Sequence, residues 1–185
     1  AAVGHATGDT ARVWVAYYAP DTASVKLAGC STFGCSGTLL APVTVESGVT
    51  TLTSVGLTVG GDGRAWIGYN NAGVVRVARC NSPTACTAPI IVNAGNVNGY
   101  TAMSTGIDGV VWYAGRASTG RARAGRCTGL DTCSGASAWT LASSDTAQPS
   151  PVALTRGVDG SMVVAATYGT SMRIFHCTSP QLCTE

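Results

Sequence analysis

With 185 residues, of which 45% are apolar and only 11% charged, the chain is too hydrophobic to be disordered and too poor in Leu, Glu and Lys to be built from helices. A formal net charge of +2, with no basic run beyond 121–126, excludes bulk binding of nucleic acid or another polyanion as its main task. No stretch approaches the roughly 20 apolar residues of a membrane-spanning helix. There is no initiator Met or signal peptide, so the sequence is expected to begin after processing or to be cut from something longer.

Internal repetition dominates. Cys30, Cys80, Cys127 and Cys177 recur about every 50 residues, and each is followed five or six positions later by a partner, Cys35, Cys86, Cys133 or Cys183. That period marks a propeller or a solenoid, whose units stack because none can bury its faces alone. A single domain over 1–185 is expected, with repeats of about 1–50, 51–98, 99–147 and 148–185.

In chain order, each repeat opens on a strand of small residues, at 1–8, 55–61, 101–107 and 152–158. One face of these strands carries Val3, Gly56, Ala102 and Ala153, then His5, Thr58, Ser104 and Thr155, so several can converge on a common axis and ring it with polar groups. An aspartate turn follows, at Asp9, Asp62, Asp108 and Asp159, with Gly next in all but the first copy. Second strands at 13–18, 65–69, 110–114 and 162–166 lack polar alternation, so both faces must be covered, as when blades pack face to face. Four or five residues after the aspartate stand Trp14, Trp66, Trp112 and then Val163, a repeated place that reads as core packing. Third strands place a basic residue, Lys26, Arg76, Arg123 or Arg173, four positions before the first cysteine. One cation and one turn carboxylate per repeat predict a repeated ion pair, the alternative being a ring of four cations that binds an anion. Fourth strands are expected at 38–45, 89–93 and 138–142, and none in the last repeat. The fold class is therefore all-β, a β-propeller-like ring of four antiparallel blades of about 47–50 residues, the last lacking its outer strand and open along 172–175.

Eight cysteines in four close pairs predict the disulfides Cys30–Cys35, Cys80–Cys86, Cys127–Cys133 and Cys177–Cys183 and a secreted or cell-surface location. Zinc sites bring two close pairs together, whereas here each pair stands a whole repeat from the next, so no metal is expected. The order of Asp-Gly, an apolar strand ending near Tyr, a V-x-R-x-x-C strand and a second Cys resembles the repeats of bacterial secreted β-propeller proteins with a cysteine pair in each blade. The resemblance covers the whole chain and departs at Thr10, in place of the turn Gly, and at Val163, in place of the Trp. It implies blade architecture and an extracytoplasmic setting; because such proteins differ in function, it carries over no catalytic residue.

Parts for catalysis are few. His5 and His176 are the only histidines, and no Gly-x-Ser-x-Gly is present. His5 is expected in the polar ring and His176 at a surface strand end. Glycoside hydrolysis needs two carboxyl groups, and outside the turns there are Glu46, Glu185, Asp21, Asp131 and Asp145, the three aspartates in loop-like sequence. No acidic cluster suits calcium, and no cofactor is expected. The leading reading is a non-catalytic binding or scaffold module, lectin-like, that takes a glycan or another small ligand through copy-specific residues: Tyr18, Tyr69, Tyr100, Tyr113, Arg116 and Trp139. The alternative is an assembly protein whose four repeats form part of a larger oligomeric ring and self-associate through the open edge of the last repeat. A glycan-directed hydrolase dependent on His5 or Asp145 is the lesser one.

Overall fold

The computed structural model describes residues 2–5, 13–32, 35–52, 54–94, 97–117, 120–127, 129, 133, 138–141, 149–179 and 182–185. They form four antiparallel sheets, one per repeat. Blade I holds β1 (Ala2–His5), β2 (Val13–Ala19), β3 (Ser24–Cys30) and β4 (Leu39–Ser47). Blade II holds β5 (Val55–Val59), β6 (Ala65–Asn71), β7 (Val74–Arg79) and β8 (Ile90–Asn93). Blade III holds β9 (Val97–Thr105), β10 (Val111–Ala117), β11 (Ala122–Cys127) and β12 (Ala138–Thr140). Blade IV holds β13 (Pro149–Arg156), β14 (Met162–Tyr168), β15 (Ser171–Ser179) and β16 (Leu182–Thr184). In each sheet the strands lie in chain order, and the first strands β1, β5, β9 and β13 adjoin one another in succession along the axis.

The outer strand of the last blade corrects the expectation that it is missing. β16 pairs with β15 through His176↔Thr184 and Cys177↔Cys183. The Cys177–Cys183 disulfide folds the chain back within six residues, so three residues suffice for a strand. β16 stops short of 172–175, where Glu185 instead reaches Arg173 at 2.6 Å. The other three cysteine pairs are closed as well, Cys30–Cys35, Cys80–Cys86 and Cys127–Cys133.

The turn between first and second strands follows one design in blades II, III and IV, written Gly-x-Asp-Gly. Gly63 N–H donates to Gly60 O (2.9 Å) and Gly60 N–H to Arg64 O (3.0 Å), a type I turn closed by a left-handed glycine at φ +72°. Asp62 Oδ1 accepts from the Arg64 N–H at 3.1 Å. Asp108 and Asp159 do the same with Val110 and Ser161. The first glycine makes room for the carboxylate, since a Cβ on Gly60 would stand 2.8 Å from Asp62 Oδ1 and 2.6 Å from Trp66 Nε1.

Three apolar cores fill the seams between successive blades. Trp14, Ala16, Val25 and Leu27 of blade I pack on Leu57, Ile67 and Tyr69 of blade II. Trp66, Val75 and Val77 pack on Met103, Val111 and Tyr113 of blade III. Trp112, Ala114 and Ala124 pack on Met162, Val164 and Phe175 of blade IV. The three tryptophans thus fill the seams, as their shared position in the repeat predicts. Two aromatics lie over the glycine opposite them on the neighbouring strand: a Cβ on Gly29 would meet Trp14 at 2.7 Å, and the Gly125 backbone lies against the Tyr113 ring.

Candidate functional site

At the turn end of the first strands lies a cavity of about 610 Å³ lined by blades II, III and IV. Thr58, Ser104, Thr105, Thr155 and Arg156 line it, with the backbone of Gly60, Gly61, Gly106 and Gly109. The threonines are ordered by one another. Thr105 Oγ1 donates to Val59 O at 2.7 Å, so its single proton is spent and Thr58 Oγ1 must be the donor in the 2.8 Å contact between the two hydroxyls. The polar ring predicted from Thr58, Ser104 and Thr155 is therefore the wall of a cavity. His5 pairs with Val13 in β1, and its side chain lies outside the described residues.

Gly61 and Gly109 form the floor where blades II and III meet. Gly61 N–H donates to Gly109 O at 2.8 Å across the seam. A second cavity of about 360 Å³ opens behind them between the same blades, lined by Asp62, Trp66, Arg79 and Asp108. Arg79 lies over the Trp66 ring, 5.4 Å from its centroid.

The predicted ion pairs exist with a different cation. The turn aspartates hold the residue just before the first cysteine: Asp62 with Arg79 (3.7 Å), Asp108 with Arg126 (2.7 Å) and Asp159 with His176 (3.1 Å). Lys26, Arg76, Arg123 and Arg173 sit on third strands, two strands out from the axis, and line neither cavity. Arg76 turns instead to Glu46 on β4 of blade I, at 3.2 Å, and Asn71 donates to the same carboxylate oxygen.

Ser161, His176 and Asp159 come together at 2.6 Å and 3.1 Å, but serine and aspartate both address His176 Nε2. A nucleophilic triad needs the carboxylate on the other ring nitrogen, so this cluster is a latch in place of the arginine–aspartate pair of the earlier blades. The Ser161 hydroxyl and N–H hold Asp159 below the ordinary carboxylate range.

Of the copy-specific residues expected to bind a ligand, Tyr69 and Tyr113 are fully buried in the seams and offer no face to a sugar. Burial pushes the Tyr113 hydroxyl up to about 12. Burial first, and then the neighbouring Glu46 carboxylate, raises Tyr69 above the ordinary phenol range. Tyr18 donates to Val49 O at 3.0 Å. Arg116 lies near Gly99, at the far end of β10 from the turns. Tyr100 and Trp139 stand on β9 and β12, with side chains outside the described residues. None of the described four lines the axial cavity. Asp21 is exposed in the 3-10 turn Pro20–Thr22 at the opposite end of blade I, and Asp131 and Asp145 lie outside the described residues.

Glu46 should matter to the seam it crosses. Glu46→Ala leaves Arg76 and Asn71 without their acceptor in a half-buried site, an expected loss of about 1–3 kcal/mol. Urea denaturation should show Glu46→Gln losing less and the Glu46→Ala/Arg76→Met double variant losing less than the two singles together.

The class of fold is a β-propeller. No protein-family model and no curated protein matches the chain, whereas solved structures do. An endo-arabinanase of glycoside hydrolase family GH43 from Bacillus licheniformis is 12% identical over 99% of this chain and 76% of its own, with a TM-score of 0.53. Native arabinanase Arb43A of Bacillus subtilis is 12% identical over 94% and 72%, with a TM-score of 0.49. The α-L-arabinanase of Cellvibrio cellulosa complexed with arabinohexaose is 9% identical over 94% and 72%, with a TM-score of 0.46. These arabinanases are five-bladed propellers. Among the described residues no helix is long and apolar enough to cross a membrane.

This finding corrects the expected function. The neighbours are glycoside hydrolases, which overturns the reading as a non-catalytic lectin-like or scaffold module and, with it, the alternative of an assembly protein within an oligomeric ring. Scarcity of acidic residues is no argument against such chemistry. Cleaving a glycosidic bond takes only two carboxyl groups that the fold brings together from distant positions.

Proposed function

We propose that the chain is a secreted, glycan-directed hydrolase that seats an oligosaccharide in the axial cavity. The observation that carries this reading is the cavity wall itself: hydroxyls of Thr58, Ser104, Thr105 and Thr155 and the Arg156 guanidinium, open to solvent, at the axis of a propeller. Ser104 and Thr155 can both donate to and accept from the hydroxyls of a sugar, Thr58 and Thr105, whose protons are already spent, offer acceptors, and Arg156 adds donors for ring and bridging oxygens. The likeness to an endo-arabinanase at a TM-score of 0.53 supports an arabinose-containing chain as the first substrate to try. Four disulfides support secretion, since thiols are kept reduced in the cytosol.

The carboxyl pair must come from elsewhere than the turns of blades II to IV, whose aspartates are engaged by their own backbone and by Arg79, Arg126 and His176. Asp21 lies at the opposite end of blade I, and Glu46 and Glu185 are paired with Arg76 and Arg173, so Asp9, Asp131 and Asp145 are the candidates to try. The test is release of reducing ends from arabinan and arabinohexaose by the oxidised chain. Turnover should fall by more than about a hundredfold in two of the variants Asp9→Asn, Asp131→Asn and Asp145→Asn. Thr58→Val and Arg156→Ala should instead raise KM. Binding of arabinohexaose without any release of reducing ends, from it or from a wider polysaccharide panel, would sink the hydrolase reading.

A further inference from the structure

The seam between blades IV and I differs from the other three. In the third strand, the positions three and five before the first cysteine hold Val77 and Val75 in blade II and Ala124 and Ala122 in blade III, all 0% exposed beneath the next blade. In blade IV the same positions are Ile174, 50% exposed, and Met172, 66% exposed. Val158 is fully exposed, while its counterpart Ile107, 74% exposed, still has one side against Gly160 of the following blade. On the other side of the gap, Val13, Val15 and Tyr17 of blade I are half-buried, where their counterparts Ala65, Ile67 and Tyr69 of blade II are buried completely. Among the described residues, blades I and IV therefore leave these apolar faces uncovered by each other.

We infer that these two faces receive one further blade of the same repeat type, which completes the propeller. Blade I carries a socket for it. Tyr17 stands opposite Lys26 as Tyr69 stands opposite Arg76, and the Tyr69/Arg76 pair takes Glu46 from the outer strand of the preceding blade at 3.2 Å. Among the described residues Lys26 has no carboxylate within ion-pair distance. The incoming blade therefore presents an acidic residue at the Glu46 position of its outer strand to Lys26, and an apolar face to Met172 and Ile174. Val163, partly exposed where the other blades have Trp, presents a smaller apolar side chain to that blade. Four sheets here against five in the neighbours leave room for one. Contact is face to face, as in the three existing seams, and involves neither a strand edge nor a ring of copies.

A chain with a second copy of residues 1–50 fused after Glu185 supplies such a blade, with its own Glu46. The fusion should melt in one transition at least about 5 °C above the parent. Lys26→Glu in the first copy and Ile174→Asp should each lower the Tm of the fusion and leave that of the parent within about 1 °C. Two transitions, with the parent's Tm unchanged, would overturn the inference. The parent alone supplies a second test: Ile174→Asp should be silent there while Val164→Asp, in the blade III seam, is severe. Equal loss in those two variants would mean that blades IV and I already cover each other, and a parent of twice the chain mass would mean that a second copy does; either result overturns it. None of these measurements uses a sugar, so the outcome stands apart from that of the hydrolase assay.

Discussion

Reduction of the four disulfides is expected to unfold the chain at or near physiological temperature. Each closes a loop of five or six residues between a third and a fourth strand. In the chain-entropy view such a loop contributes about 2.2 kcal/mol, or roughly 9 kcal/mol for all four. A domain of this size has about 5–15 kcal/mol in total, so the bonds account for much of the margin. The sulfurs also belong to the packing. Cys80 and Cys86 lie in the core between blades I and II, Cys127 and Cys133 in the next, and Cys177 in the third, each nearly or wholly buried. Circular-dichroism melts with and without dithiothreitol should differ by roughly 18–36 °C at the usual 2–4 °C per kcal/mol for chains of this length. Among single-pair variants, Cys177→Ser/Cys183→Ser should be the most local in effect, releasing β16, whose pairing passes through that bond. A melt shifted by less than about 5 °C on full reduction would show that blade packing alone holds the fold.

The repeat was legible because its period is carried by cysteines, whose pairing is insensitive to the rest of the sequence, and strand order follows from it. The ion pairs show where such reading runs out. The expected cations lie four residues before the cysteine, but the register sets Arg76 opposite Tyr69 and Arg79 opposite Trp66, beside the turn. At about 3.3 Å per residue, Arg76 is some 10 Å farther along the strand from Asp62 than Arg79 is. The signal was present, since basic residues or His also precede the cysteine at Arg79, Arg126 and His176. So were the first glycines of the turns, Gly60, Gly106 and Gly157, each two residues before the aspartate and needed to admit its carboxylate. Among the expected ligand residues, Tyr69 and Tyr113 serve packing instead: Tyr69 holds the place that Tyr17 holds in blade I, and Tyr113 fills the next seam. The cavity wall, by contrast, followed from strand alternation alone, which places Thr58, Ser104 and Thr155 on equivalent faces of first strands.

The glycine contact between blades II and III is expected to be a highly sensitive backbone position, since a Cβ on either glycine meets backbone. Gly109 has φ +77°, and a Cβ there would stand 2.9 Å from Gly61 Cα; a Cβ on Gly61 would stand 2.6 Å from Gly109 Cα. Both obstacles are backbone, tied by the 2.8 Å hydrogen bond from Gly61 N–H to Gly109 O, so neither can yield without parting the blades. Gly109→Ala combines about 1–2 kcal/mol for a left-handed side-chain-bearing residue with about 1–3 kcal/mol for overpacking. Gly48 separates the two terms, with φ +72° and nothing within 4 Å of its added Cβ. Gly48→Ala should therefore show the conformational cost alone, Gly61→Ala the steric cost alone, and Gly109→Ala roughly their sum of about 2–5 kcal/mol, a fall in Tm of roughly 4–20 °C. Gly160→Ala should sit nearer Gly48→Ala, because the atom its Cβ meets at 3.1 Å is the Ile107 side chain, which can turn away. Since Gly61 and Gly109 also line the axial cavity, the proposed function adds that Gly61→Ala should weaken oligosaccharide binding beyond what its Tm predicts. Equal melting temperatures for Gly48→Ala and Gly109→Ala would mean that the two loops separate freely, and that the floor of the cavity is not held by the seam beneath it.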